Sequence, residues 1–128
     1  MKLLSASILA AALLAGCGGM QTAAMPDSPT RTADGVLVGP NGMSLYTFVK
    51  DASGSGKSVC NAACATNWPP LMAPEAAGQR GAYTVVTRDD GNKQWAYKGS
   101  PLYYWVKDMK AGDKTGDGVG GNWSIARP

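Results

Sequence analysis

The chain contains no histidine. That absence excludes a Ser-His-Asp or Cys-His mechanism, and it excludes His ligation of zinc, copper or haem iron. Carboxylates are scarce as well: Glu75 stands beside eight aspartates, and no spacing singles out an acid–base pair. No run or stripe of Lys and Arg exists, so nucleic acid has no electrostatic footprint to grip. Nor is there an apolar run of the ~20 residues that a membrane-spanning helix needs. These gaps point away from an enzyme, and no cofactor or metal is expected.

Three strings imitate ligand-binding signatures and fail on their mechanics. Gly54-Ser55-Gly56-Lys57-Ser58 has the end of a phosphate loop, but Asp51 stands where its first glycine belongs. Gly116-x-Gly118-x-x-Gly121 is followed by Asn122-Trp123 and a strand pattern, where a dinucleotide would need a helix N-terminus. Asp113 to Gly118 begins like a calcium loop, yet Ser124 occupies the position of the closing bidentate Glu. A flexible Asp/Gly turn is the preferred reading there.

What the chain does have begins with an address. Lys2 and the apolar stretch Leu3 to Leu14 form a short leader that ends in Leu14-Ala15-Gly16-Cys17, the pattern of a bacterial lipobox. Residues 1–16 are read as a lipoprotein signal peptide and Cys17 as the lipidated residue, so the partner at this end is a membrane. Cleavage would remove Lys2 and leave eleven basic against nine acidic side chains, a net charge of +2. Residues 17–33, small, polar and carrying two prolines, are read with Cys17 as a flexible tether of at most ~50 Å.

From residue 34 to 128 the pattern is all-β, with seventeen glycines and eight prolines in the whole chain to punctuate short strands. Strands are expected at Val36–Val38, Leu45–Val49, Tyr83–Thr87, Lys93–Tyr97, Leu102–Val106 and Trp123–Ala126. Alternation would put Tyr46 and Phe48 on one face and Leu45, Thr47 and Val49 on the other. Asn61–Asn67 is the best candidate for a helical turn. The ten aromatic residues all lie between Tyr46 and Trp123, which locates the core.

The chain also repeats itself. Gly42 to Asp51 aligns with Gly99 to Asp108 at an offset of 57, and Asn67-Trp68 aligns with Asn122-Trp123 at 55. The expectation is a small antiparallel domain of two tandem ~55-residue repeats, near 34–72 and 83–126, packed on one core. Only the first copy carries Cys60 and Cys64. Outside the cytoplasm such a pair becomes a disulfide, and its very short ring adds only about 2 kcal/mol.

These residues resemble a known family. Tyr46-x-Phe48-x-x-Asp51 and Tyr103-x-Trp105-x-x-Asp108 both fit Y-x-(F/W/Y)-x-x-D, the motif of a group of predicted bacterial lipoproteins also described as a secreted repeat of unknown function. Cys60-x-x-x-Cys64-Ala65-x-x-Trp68-Pro69-Pro70-Leu71 is similar to that family's second hallmark, and Gln94-x-x-Tyr97-x-Gly99-x-Pro101-Leu102-Tyr103 to its third. The resemblance implies the address and the repeat, and it carries no catalytic residue.

Two readings of the motif residues stay open. In the structural one, Asp51 and Asp108 cap turns by accepting backbone N–H bonds while the aromatics pack the core. In the functional one, aromatics and acid form a ligand pocket. Trp68-Pro69-Pro70 divides the same way, as a core plug or a binding edge. The function expected is a membrane-anchored, non-enzymatic binding or structural module for an envelope protein or small ligand. The alternative is a periplasmic thiol-redox or soft-metal protein using Cys60 and Cys64. In a Gram-negative cell Gly18, lacking the retention Asp, directs the chain to the outer membrane, facing the periplasm.

Overall fold

The computed structural model describes residues 28–128. The expected signal peptide, Cys17 and most of the expected tether lie outside the described residues. Three small antiparallel sheets carry seven short strands: β1 (Arg31–Ala33), β2 (Val36–Val38), β3 (Tyr46–Phe48), β4 (Tyr83–Thr87), β5 (Lys93–Tyr97), β6 (Ser100–Pro101) and β7 (Trp123–Ile125). A five-residue helix, α1 (Ala63–Asn67), falls within the expected helical stretch. Among the described residues no helix is long and apolar enough to cross a membrane.

Turn chemistry sets the registers. Asp34 and Gly35 both have positive φ, 51° and 76°, and so do Lys98 and Gly99, 49° and 87°. Two such residues in succession make the type I′ turn whose twist suits a tight hairpin. They close β1 on β2, with Ala33 opposite Val36, and β5 on β6, with Tyr97 opposite Ser100. The turn around Gly91 joins β4 to β5, with Thr87 opposite Lys93.

The fold begins earlier than the sequence suggested. Pro29 and Thr30 are buried and Arg31–Ala33 form β1, so the last residues assigned to the tether belong to the domain. The short polar run has no period of its own; pairing with the apolar β2 recruits it.

The two repeats interlock. Leu45, Leu37 and Ala126 form a closed ring of backbone bonds: Leu45 N–H to Leu37 C=O (3.0 Å), Leu37 N–H to Ala126 C=O (2.8 Å) and Ala126 N–H to Leu45 C=O (2.8 Å). Leu102, Trp95 and Leu71 form the equivalent ring at 3.0, 2.9 and 2.9 Å. Ala126 belongs to the second repeat but completes the first, and Leu71 does the reverse. On the axis between them Tyr46 and Tyr103 exchange both backbone bonds, at 2.8 and 2.9 Å. Each repeat thus gives its last segment to the other.

One expected strand is missing, and its absence has a chemical cause. β3 pairs with β7 over three residues, Tyr46 to Ile125, Thr47 to Ser124 and Phe48 to Trp123. The counterpart of β7 is Trp68-Pro69-Pro70, and proline has no N–H to give a ladder. Leu102–Val106 therefore forms no regular strand. It is held by Tyr104 N–H on Pro69 C=O (2.7 Å) and Val106 N–H on Asn67 C=O (3.0 Å).

Two apolar clusters fill the interior, where one had been expected, and both repeats feed each. One holds Val36, Val38, Tyr46, Cys60, Trp68, Tyr103 and Trp123. The other holds Leu37, Leu45, Leu71, Trp95, Leu102 and Ala126. With a cluster on either side of β3, Leu45 and Tyr46 are both fully buried, although alternation placed them on opposite faces. Val49, at the strand's end, is exposed.

Candidate functional site

The family-motif residues meet across the repeats. Tyr46 at the start of β3 donates its hydroxyl to Asp108 Oδ2 at 2.6 Å. Tyr103 donates to Asp51 Oδ2 in the reciprocal bond. The other oxygen of each carboxylate caps a loop. Asp51 Oδ1 accepts from Val59 N–H (2.8 Å), and Asp108 Oδ1 accepts from both the N–H (3.0 Å) and the hydroxyl (2.6 Å) of Thr115. Both aspartates are buried. The capping expected of them is present, and the cross-repeat bond lies beyond it.

Burial decides the protonation behaviour of these groups. It pushes the hydroxyls of Tyr46 and Tyr103 well above the usual phenol range, and the neighbouring carboxylates add to the effect. They are therefore permanent donors. Burial also raises the carboxyl of Asp51, against the lowering effects of Tyr103, Val59 and the charge of Arg88.

Arg88, which the sequence reading did not single out, is buried at the end of β4. Its guanidinium donates to Ser58 Oγ (3.0 Å), Gln94 Oε1 (2.7 Å) and the carbonyl of Cys60 (2.6 Å). Ser58 and the Tyr103 hydroxyl lie 2.6 Å apart. Since Arg88 donates to Ser58 and Tyr103 donates to Asp51, Ser58 is left to donate to Tyr103. Arg88 and Asp51 are thus an ion pair bridged by two hydroxyls. Among the described residues the Tyr46–Asp108 pair has no arginine in its place; Gly116 N–H donates to the Tyr46 hydroxyl at 3.2 Å. A Cβ at Gly116 would stand 2.9 Å from the Tyr46 ring and 3.0 Å from Trp105, so only glycine fits there.

The aromatic members of the motifs form a column. Phe48 stacks on Trp123 (4.3 Å between centroids), Trp123 on Trp68 (3.7 Å) and Trp68 on Trp105 (3.9 Å). Tyr46 meets Trp68 edge-on, and Tyr103 meets Trp123 in the same way. The order alternates between repeats, so stacking adds to the interlock. Trp68 is therefore a core residue, and Pro69 and Pro70 lead the chain out along Tyr103 and Tyr104.

Cys60 and Cys64 form a disulfide across the entry to α1. Cys60 is fully buried against the first apolar cluster, and Cys64 is half-buried. The carboxylates of the calcium-like string turn inward to protein donors. Asp113 holds the N–H groups of Met109 (2.8 Å) and Lys110 (3.2 Å), and Asp117 holds that of Ile125 (2.9 Å). Among the described residues no three His, Cys, Asp or Glu side chains converge as a metal site would require.

Surface concavity lies elsewhere. A cleft of ≈ 360 Å³ opens between the β1–β2 hairpin and the turn at 109–114, with Val36 and Val38 at its floor and Arg31 and Lys114 on its walls. Sequence reasoning missed both cations, since they are 83 positions apart and each is isolated along the chain.

The model of the family described as a secreted repeat of unknown function matches this chain twice, at residues 29–72 and 84–127. The chain belongs to that family. Comparisons with curated proteins and with solved structures find no match.

Proposed function

We propose that this chain is a lipid-anchored protein of the bacterial envelope whose interlocked domain is a non-enzymatic binding module. One observation carries the reading. Both motif carboxylates are buried and saturated by internal donors, which makes the family motif a scaffold rather than a reaction site. Binding then falls to the surface that the scaffold presents, with an envelope protein or small ligand as partner. The anchor is the lipid on Cys17, and Gly18 directs the protein to the outer membrane of a Gram-negative cell.

The thiol-redox or soft-metal alternative draws less support. Thiol exchange needs in-line access to a sulfur, and Cys60 is buried with its carbonyl held by Arg88.

The test is the mass of the N-terminal peptide of protein extracted from membranes. A diacylglycerol thioether on Cys17, absent from Cys17→Ser, is expected. An unmodified Cys17 in protein released without detergent overturns the anchor.

A further inference from the structure

The outer edge of β4 is open. Arg88 N–H donates to the Asn92 carbonyl (2.8 Å) and Lys98 N–H to that of Ala82 (2.9 Å), so the even positions along this strand face β5. Tyr83, Val85 and Thr87 therefore turn their backbone groups outward. Tyr83 exchanges both of its bonds with Arg80, at 2.9 Å each. Among the described residues nothing meets the N–H and C=O of Val85 and Thr87. Other edges are closed or guarded. Beside β7, Gly118 N–H donates to the Trp123 carbonyl (2.7 Å), and Asp117 accepts from the N–H of Ile125 (2.9 Å). β1 carries Arg31, a charge of the kind that discourages strand pairing. β4 has no such guard: Tyr83-Thr84-Val85-Val86-Thr87 holds no charge, proline or glycine, and every residue in it favours a strand.

This edge is complementary to itself. With two β4 strands antiparallel, Val85 of one copy lies opposite Thr87 of the other, and the two exchange N–H and C=O while Val86 sits on the twofold axis. The same arrangement brings the exposed Asp89-Asp90 turn of one copy to the end where Lys98 of the other stands, with the small Ala82 between. Lys98 makes no ion pair among the described residues, and Asp89 and Asp90 bond the neutral Asn61 and Asn92. The geometry also suits two anchored chains. Tyr83, Val85 and Thr87 share one face of the sheet, and the chain enters the domain on that face. Thr30 meets the Tyr83 hydroxyl, and Ser28 and Pro29 line a concavity with Trp95, the cross-strand partner of Val85. Opposed residues of antiparallel strands point to the same face, so both chains leave such a pair on one side, as two anchors in one bilayer require.

We propose that β4 is a self-association edge: in the membrane two copies of this chain pair their β4 strands antiparallel, Val85 of each opposite Thr87 of the other. The proposal rests on the anchoring reading, and it makes a second copy the partner of the binding module. The pairing joins two three-stranded sheets into one and satisfies both open residues of each copy. A ladder this short binds weakly in solution, and anchoring in one leaflet supplies the local concentration it needs. Lys98 and the Asp89-Asp90 turn fix the direction, since a parallel pairing would set like charges together.

The test uses membranes isolated from cells that make the full chain, with the lipid on Cys17 verified by mass. Thr87→Cys sets two substituted positions about 7–8 Å apart across the axis, within reach of a short bismaleimide. Thr32→Cys, equally exposed but on β1, is the control. With Cys17 lipidated and Cys60–Cys64 oxidised, the introduced thiol is the one that reacts. A product of twice the chain's mass, formed at least about tenfold faster from position 87 than from 32, is expected. In the Thr87→Cys chain, Val85→Pro removes an outward N–H that no bond within the chain uses, so it should keep the melting temperature and slow the linking about tenfold. Lys98→Glu, outside the ladder, should slow it about threefold. Equal linking from 87 and 32 in a chain with its lipid overturns the pairing and leaves the anchor intact. A product with the mass of this chain plus a different protein overturns the second copy as partner. Linking that Lys98→Glu leaves unchanged overturns the antiparallel register.

Discussion

Tyr103 of the second repeat donates its hydroxyl to Asp51 of the first, and the pair is the mirror of Tyr46 and Asp108. A tyrosine and an aspartate five residues apart in one motif therefore never meet each other. Each waits for its partner from the other copy. The motif is a reciprocal lock, and it explains why the chain carries it twice.

Arg88 ties this lock to the disulfide loop. Arg88→Leu should cost about 3 kcal/mol or more, because Ser58, Gln94 and the Cys60 carbonyl lose a buried donor together and Asp51 loses its nearest positive charge. Arg88→Lys should recover only part, since an ammonium cannot span three acceptors in the plane of a guanidinium. Urea denaturation of the three proteins measures both.

Acid should affect stability through Asp51 in a direction opposite to most carboxylates. Its folded carboxyl is raised, so the native state binds the proton first as pH falls. The stabilisation from this group is complete below the unfolded value near pH 3.8 and is lost as pH rises through the folded one. Asp90 and Asp113, both lowered, act the other way in wild type and variant alike. The stability of wild type relative to Asp51→Asn should therefore increase from neutral pH down to pH ~3. A difference that shrinks over that range would show that Asp51 is held ionised.

The linker between the repeats sets their choice of partner. Ala73 bonds Lys93 on the side of β5 away from β4, and Tyr83 lies at the other end of β4. Strand spacings put the two about 16 Å apart. Deleting residues 75–81 leaves three Cα steps, at most about 11 Å. Closure within one chain is then out of reach, and two copies should exchange repeats into a dimer with the same locks. Light scattering should give twice the monomer mass; a monomer of wild-type stability would refute the exchange.

The disulfide should behave as a staple. Its short ring adds about 2 kcal/mol, and Cys60 is buried while Cys64 is half-buried. Equilibration in thiol buffers with mass-detected alkylation should place its potential below about −300 mV. A value near −200 mV would return Cys60 and Cys64 to the redox reading.

Much of this architecture is legible in the sequence because it is local. The hairpin around Gly91 follows from its turn residues, and the offset of 57 exposes the repeat. The exchange of strands is not local. Nothing near Asp51 indicates that its partner lies 52 residues on, and Arg88 finds its acceptors on loops that only the fold assembles. Leu102–Val106 misleads because its own residues favour a strand while the fault lies in its partner, Pro69-Pro70. Arg31 and Lys114 share a cleft only because β1 folds back on β2, against the expectation of a loose tether there.

The reciprocal lock is tested most directly by double-mutant cycles in the intact chain, using Tyr→Phe and Asp→Asn at the four motif positions and denaturation at neutral pH. The pairs Tyr103/Asp51 and Tyr46/Asp108 should each couple by about 1 kcal/mol or more. The pairs within one motif, Tyr46/Asp51 and Tyr103/Asp108, should add to within about 0.5 kcal/mol. Coupling inside each motif that exceeds coupling across the repeats would contradict the account.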